Sequence, residues 1–253
     1  TAPTEIYTLS LPDALPIWAN ENAALTSIHT LFVREHNRLA TKLATVHPDW
    51  ADEEIFQRAR QLNIAQMQNI TFNEYLPSLL GRELPVYQGY NPLINPGIER
   101  VFSSAAFRLG HTQLSSTISL LGLDGSASTG GNLTLSDVFF PDISLLQTRG
   151  IDDLIRGVAS SLSQEVDNRL IEDVRSLLFG DGPNAPARDL AALNIERGRL
   201  NGIADYNTVR ATYGLNRVVS FSDITSDVAK QQTLQELYGP VINIDAFVCL
   251  LAE

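Results

Sequence analysis

Residues Pro96 to Leu121 run PGIERVFSSAAFRLGHTQLSSTISLL, and their spacing predicts one helix with His111 in its middle. Pro96 suits a helix start, where its missing N–H costs nothing. Apolar residues recur at Ile98, Val101, Phe102, Ala105, Ala106 and Leu109, and after His111 at Leu114 and Ile118. That pattern makes one broad apolar face. Gly110 comes immediately before His111. A mid-helix glycine costs about 1 kcal/mol relative to alanine, so it calls for a reason, such as close approach by a flat object or by another backbone. Arg108 lies three residues before His111, near it on the helix surface. A cation beside an imidazole suits a cofactor that carries both a metal and carboxylates. Taken alone, a histidine on an apolar face is more often a satisfied core residue than a ligand.

The rest of the chain narrows the class. Its 253 residues are 44% hydrophobic and 19% charged, the composition of one large globular domain or two small ones. A net charge of −11 argues against nucleic acid and anionic membrane surfaces as partners, since both need clustered Lys and Arg. The single cysteine, Cys249, excludes an internal disulfide and a cysteine-rich metal site. The sequence has no apolar run of the roughly 18 residues that a membrane-spanning helix requires.

Residues 1–17, TAPTEIYTLSLPDALPI, differ from the rest of the chain: they lack lysine and arginine and show no clear period. A signal peptide is disfavoured, because no basic start is present and Asp13 interrupts the apolar run. The segment resembles the translation of sequencing-adapter DNA. It is therefore read as non-native, and 18–253 as a partial domain that lacks its N-terminal half.

From Leu25 to His47 an apolar stripe predicts a long helix, with Asn22 or Thr26 as candidate cap. His29 and His36 are seven residues apart, two full turns, too far to share one ion unaided. His36 is read with Arg34, Glu35 and Arg38 as a polar cluster. A second helix opens at Asp52 and ends before Pro77, with an amide-rich face suited to a polar seam. The Gly- and Ser-rich stretch 124–132 is a surface loop. Further helices are expected at 151–159, 163–179 and 189–199, and one more within 215–238 capped by Ser226 or Asp227. The apolar tail NIDAFVCLLAE is expected to dock. Strand signals are nearly absent, so the fold class is mainly α.

Three blocks in order, ANENAALTSIHTLFVREHNRLA, AFRLGHT, and DLAALNIERGR followed by NGIADYN, resemble the animal-type haem peroxidase superfamily, most closely its bacterial and peroxinectin-like members. The tail resembles the family's close, and the likeness covers about residues 19–253. It implies an α-helical peroxidase fold around a haem b derivative, here incomplete because the distal half lies upstream. By the same resemblance His111 is the proximal iron ligand, and Asn194 accepts from that histidine's far ring nitrogen. Arg108 faces a haem propionate, and Arg197 does the same. Glu21 is the carboxylate that forms an ester to the haem. Taken singly, Glu21 reads as an acidic residue ahead of a helix, Arg108 as a surface ion pair and Asn194 as a helix-end hydrogen bonder. The ordered blocks favour the site reading.

Departures accompany the likeness. Trp18 stands where members have an arginine, three residues before Glu21. The family's distal histidine and glutamine and its calcium loop have no counterpart here. Leu200-Asn201 replaces the usual Asp-His, and Cys249 a usual glycine. The expected function is hydrogen peroxide-dependent oxidation of a halide or small organic donor by a haem enzyme that acts extracellularly, with little turnover by this chain alone. The alternatives are a fatty-acid dioxygenase of the same superfamily and a haem-free helical adhesion module. Glu21 favours the peroxidase.

Overall fold

The computed structural model describes residues 17–141, 144–176 and 188–253. Residues 1–16 of the segment read as non-native lie outside these, as do 177–179 of the helix expected at 163–179. In chain order the helices are α1 (Ala23–Val46), α2 (Asp52–Ile70), α3 (Leu76–Leu80), α4 (Arg100–Ser104), α5 (Ser144–Arg149), α6 (Asp152–Ser160), α7 (Glu172–Arg175), α8 (Leu190–Leu200), α9 (Tyr206–Thr212), α10 (Val228–Tyr238) and α11 (Ala246–Ala252). Two short strands, β1 (Thr117–Ile118) and β2 (Leu133–Thr134), pair antiparallel, with Thr117 opposite Thr134. The mainly helical class is as expected. The chain divides into two compact units. One holds the described residues up to 94 with 119–132 and 138–159, and the other holds 95–118, 133–137 and 160–253.

In the first unit, α1 starts where the Asn22 side chain accepts from the Leu25 N–H at 2.9 Å. Thr26, the other candidate cap, is buried and donates its hydroxyl to the Ala19 carbonyl. Leu39 and Ala40 of α1 pack with Ile55 and Ala59 of α2. The amide seam forms as expected: Asn63 donates to the Phe32 carbonyl at 3.1 Å, and Gln66 to Glu35 at 2.8 Å. The cluster around His36 forms in part. Glu35 and Arg38 pair, while His36 turns its Nε2 to the Phe56 carbonyl, 3.3 Å away.

Helical structure does not end before Pro77, contrary to expectation. A π turn at Thr71–Tyr75 leads directly into α3, where Pro77 takes the second position. A proline in an α-helix loses a bond and its ring meets the carbonyl four residues back. The widened turn just ahead of Pro77 relieves both, since a π bulge shifts the bonding partner. The helix stops instead at Gly81, whose φ of +64° closes it in the left-handed conformation. Gly157 of α6 is required by close approach: a Cβ there would fall 1.7 Å from the Ser119 carbonyl oxygen.

In the second unit the stretch 96–121 is not one helix. α4 spans a single turn and breaks at Ala105, with φ −128° and ψ −72°. A 3-10 helix follows, Ala106–His111, and then the extended β1. The cause is local and tertiary together. Ser115, Ser116 and Thr117 compete with helical bonding through their hydroxyls, and Ser115 Oγ accepts from the Thr117 N–H. Ser116 is drawn away to the buried Asp173, 2.5 Å from its hydroxyl.

Of the helix expected at 163–179, the described residues form only α7. The Asp167 side chain accepts from the Arg169 N–H, an Asx turn that replaces helix. The Gln164 N–H bonds the Gln113 carbonyl, and Asn168 bonds that of Val248. The expectations for α6, α8 and α10 hold: Asp189 caps α8 and Asp227 caps α10. The tail docks as α11, burying Phe247 and Leu251 against Ala105. Cys249 joins a second core with Tyr206, Val218, Phe221 and Ile244. Burial pushes its thiol up to about 12, aided by the nearby Glu253 carboxylate. It is an inert packing residue.

Candidate active site

His111 closes the 3-10 turn and is half-buried. In a 3-10 helix residues three apart eclipse, so Arg108 lies over the same side as His111. Across from this segment runs α8, which places Asn194 and Arg197, with Asn201 at its C-terminal cap, on one face at helical spacing. Asn194 is fully buried, and its amide meets His111 Nδ1 at 2.9 Å. Asn194 is thus neither a cap nor a helix-end group.

The orientation of that amide decides the chemistry. With Nδ2 facing Nδ1, the Asn194 Oδ1 is a buried oxygen without a partner. Amide ends are assigned by their hydrogen bonds. The opposite orientation lets Oδ1 accept from Nδ1–H, and the orphaned oxygen is then used. The imidazole proton is thereby fixed on Nδ1, leaving the Nε2 lone pair for a metal. Nε2 has no partner among the described residues.

Burial first, then the charges of Arg108 and Arg197, hold the His111 pKa below the ordinary histidine value. The histidine is therefore kept neutral, the form that binds a metal. Burial and the Arg197 charge likewise lower the pKa of Arg108. The two guanidiniums repel each other, and among the described residues neither is paired with a carboxylate. Arg108 donates only to the Ser103 carbonyl, at 3.0 Å. Two uncompensated cations beside a neutral imidazole call for a ligand that brings both metal and carboxylates. Among the described residues outside its own helical segment, a Cβ at Gly110 would meet no atom within 4 Å, so no other backbone approaches it there. The position is open on that side and leaves room for a flat ligand.

The other predicted residue, Glu21, lies in the first unit, just before α1. Its carbonyl accepts from the Phe140 N–H at 2.7 Å, and Phe140 adopts a positive φ of 46° to make that bond. Asn20 donates to the Pro141 carbonyl at 3.1 Å. His111, Asn194, Arg108 and Arg197 come together in the second unit, and Glu21 belongs to the first.

The sequence matches what this geometry suggests. A profile of the animal haem peroxidase family matches residues 13–253, and the chain belongs to that family. It is 41% identical over 234 residues to peroxinectin A of Dictyostelium discoideum, covering 92% of this chain and 43% of that protein. It is 37% identical to lactoperoxidase of Mesocricetus auratus, covering 93% of this chain and 34% of the relative. Peroxidase A from Dictyostelium discoideum superposes with a TM-score of 0.88 at 38% identity, over 98% of this chain and 48% of that one. A fatty acid alpha-dioxygenase of Oryza sativa superposes with a TM-score of 0.76 at 20% identity, which shows a shared fold. The chain thus spans less than half the length of these relatives.

Two residues at the site escape sequence reasoning as participants. Ser104 is buried, 3% exposed, and accepts from Asn201 Nδ2 at 2.8 Å. Asn201 is visible in the sequence only as a departure from the family's usual histidine, and Ser104 carries no signal. Asp173, which holds Ser116 and the Ser136 N–H, gives none either.

Proposed function

We propose that this chain supplies the proximal side of a haem-dependent peroxidase, one that uses hydrogen peroxide to oxidise a halide or small organic donor. The supporting observation is His111, neutral, with Nδ1 against Asn194 and, among the described residues, Nε2 unpartnered and two guanidiniums beside it unpaired with any carboxylate. His111 Nε2 would hold the iron of a haem b derivative. Arg108 and Arg197 would take its carboxylates, and Glu21 would form the ester to it. When bound, haem supplies the redox chemistry on peroxide. The protein's part is to keep His111 neutral and to fix its tautomer. Asn194 accepts the Nδ1 proton and so makes the imidazole a stronger donor. The acid–base groups that would move peroxide's proton belong, in this reading, to sequence this chain does not contain, so turnover by the chain alone is expected to be low. Action outside the cell follows from the resemblance, and among the described residues no helix is long and apolar enough to cross a membrane.

A titration of the 253-residue chain with ferric haem tests the reading. A Soret band that saturates near one equivalent, and is lost in His111→Ala, is expected. Equal binding by His111→Ala would overturn it. On a longer gene carrying these residues, halide rather than polyunsaturated fatty acid should be consumed, which separates the peroxidase from the dioxygenase.

A further inference from the structure

The segment that carries His111 and helix α8 face each other as an antiparallel ladder. Ser104 precedes His111 by seven residues, and Asn201 follows Asn194 by seven. Asn194 meets His111 at one end, and Asn201 meets Ser104 at the other. Two helical turns separate the ends, about 10 Å along α8. Between them stand Arg108 and Arg197, at the matching positions, four residues past Ser104 and four before Asn201. The outer rungs are hydrogen bonds, and the middle rung is a pair of like charges that repel.

We infer that the Asn201–Ser104 hydrogen bond is a positioning clamp. It holds the end of α8 against α4, keeping the two guanidiniums together on one edge of the His111 site and the Asn194 amide in register with the imidazole. This rests on the functional reading above and goes beyond it, since it assigns a role to Asn201 and Ser104. The local geometry shows why a clamp is needed. The His111 segment is a short 3-10 helix entered through a break at Ala105, immediately after Ser104. A 3-10 helix of two turns has poorer hydrogen-bond geometry than an α-helix, so its orientation depends on what holds its ends. At the far end Asp173 holds Ser116, and the Gln164 N–H holds the Gln113 carbonyl. At the near end Asn201 is the polar tie from α8. Without it, repulsion between Arg108 and Arg197 favours separation of α8 from the turn. Asn201 is placed for this by the end of α8, where its own N–H still bonds the Arg197 carbonyl.

The test uses Asn201→Ala, Ser104→Ala and the double variant of the 253-residue chain. In the haem-free protein, 15N NMR of the His111 ring reads its tautomer. The unaltered chain should show mainly Nδ1–H, and each single variant should shift toward the mixture found in free histidine. Ferric-haem titration should show about three- to tenfold weaker binding in each single variant, the size expected for one hydrogen bond. The double variant should lose no more than either single. Leu234→Ala, a cavity variant in the other core of this unit, should lower Tm and leave the tautomer unchanged. An unaltered tautomer in both single variants, or additive losses in the double, would overturn the clamp, as would the same tautomer shift in Leu234→Ala. If His111→Ala binds haem as the unaltered chain does, the functional reading fails, while the haem-free tautomer still decides the clamp on its own.

Discussion

Each unit carries a half-buried histidine and an asparagine whose side-chain oxygen is buried, His36 with Asn63 and His111 with Asn194, and the two sets are used differently. In the first unit His36 Nε2 lies 3.3 Å from the Phe56 carbonyl and Nδ1 lies 3.3 Å from Asn37. Asn63, on the facing helix, donates to the Phe32 carbonyl. His36 and Asn63 line a hollow of about 510 Å³ with Leu25, Ile28, Phe32 and Met67. In the second unit, among the described residues, only one ring nitrogen of His111 is met, and two cations stand beside it. Among the described residues the buried Asn63 oxygen has no partner, whereas the Asn194 oxygen gains one, the His111 Nδ1–H, once its amide is turned. What differs is closure. The Phe56 carbonyl takes the Nε2 proton, and the Asn37 amide, turned to present its Nδ2, meets Nδ1, so the His36 ring is a packing and hydrogen-bonding element. His111 has one nitrogen oriented and one left over, the condition a ligand needs. Residue type and helical spacing are alike in the two cases, so neither tells them apart.

The comparison can be broken most sharply by exchanging losses. His111→Ala should abolish the saturable Soret shift, while His36→Ala should bind ferric haem with unchanged stoichiometry and lose only stability, read as Tm. If His36→Ala abolishes binding instead, the assignment of the two rings is inverted. The amides come next. Asn194→Ala should weaken haem about 10- to 100-fold, the usual cost of losing the group that orients a ligating histidine. Asn63→Ala, measured by denaturant unfolding, should cost about 1 kcal/mol, the worth of one hydrogen bond, with affinity unchanged. Equal effects of the two amides on affinity would remove the distinction.

Arg108→Gln should weaken haem by roughly tenfold, as expected for a lost charge-assisted bond, and the weakening should diminish at high salt. The smallest effect is on pH dependence. The His111 pKa is lowered in the folded chain, by burial first and by the two arginines after it. Its contribution to stability is thus present above the unfolded value of about 6.5 and is lost as pH falls through the lower folded value. In Arg108→Gln the folded value rises, the window narrows, and the fall of Tm between about pH 7 and 5 should be shallower than in the unaltered chain. An identical fall in both would show that Arg108 does not act on His111.

Much of the fold and of the site is legible in the residues alone, and for traceable reasons. α1, α8 and α10 follow from the residue pattern, and Asn22 and Asp227 each stand among two candidate caps, because both signals are local. His111, Asn194, Arg108 and Arg197 stand out through ordered blocks of sequence, and the structure brings all four together. The failures also share a cause. The stretch 96–121 has helical periodicity, yet Ser116 bonds Asp173 from far along the chain and the run turns extended. Pro77 reads as a stop, yet a π turn ahead of it carries the helix on to Gly81.

The sequence by itself determined the helical class and the places of α1, α8 and α10, since each rests on residue type at fixed spacing, and its ordered blocks singled out His111. Tertiary structure alone decided which histidine keeps a free nitrogen, that two arginines on different segments face each other unpaired, and that Asn201 reaches Ser104. These are pairings between residues up to about a hundred positions apart. No local period encodes such pairings, because the partner's side chain exists at that point only after both segments have packed.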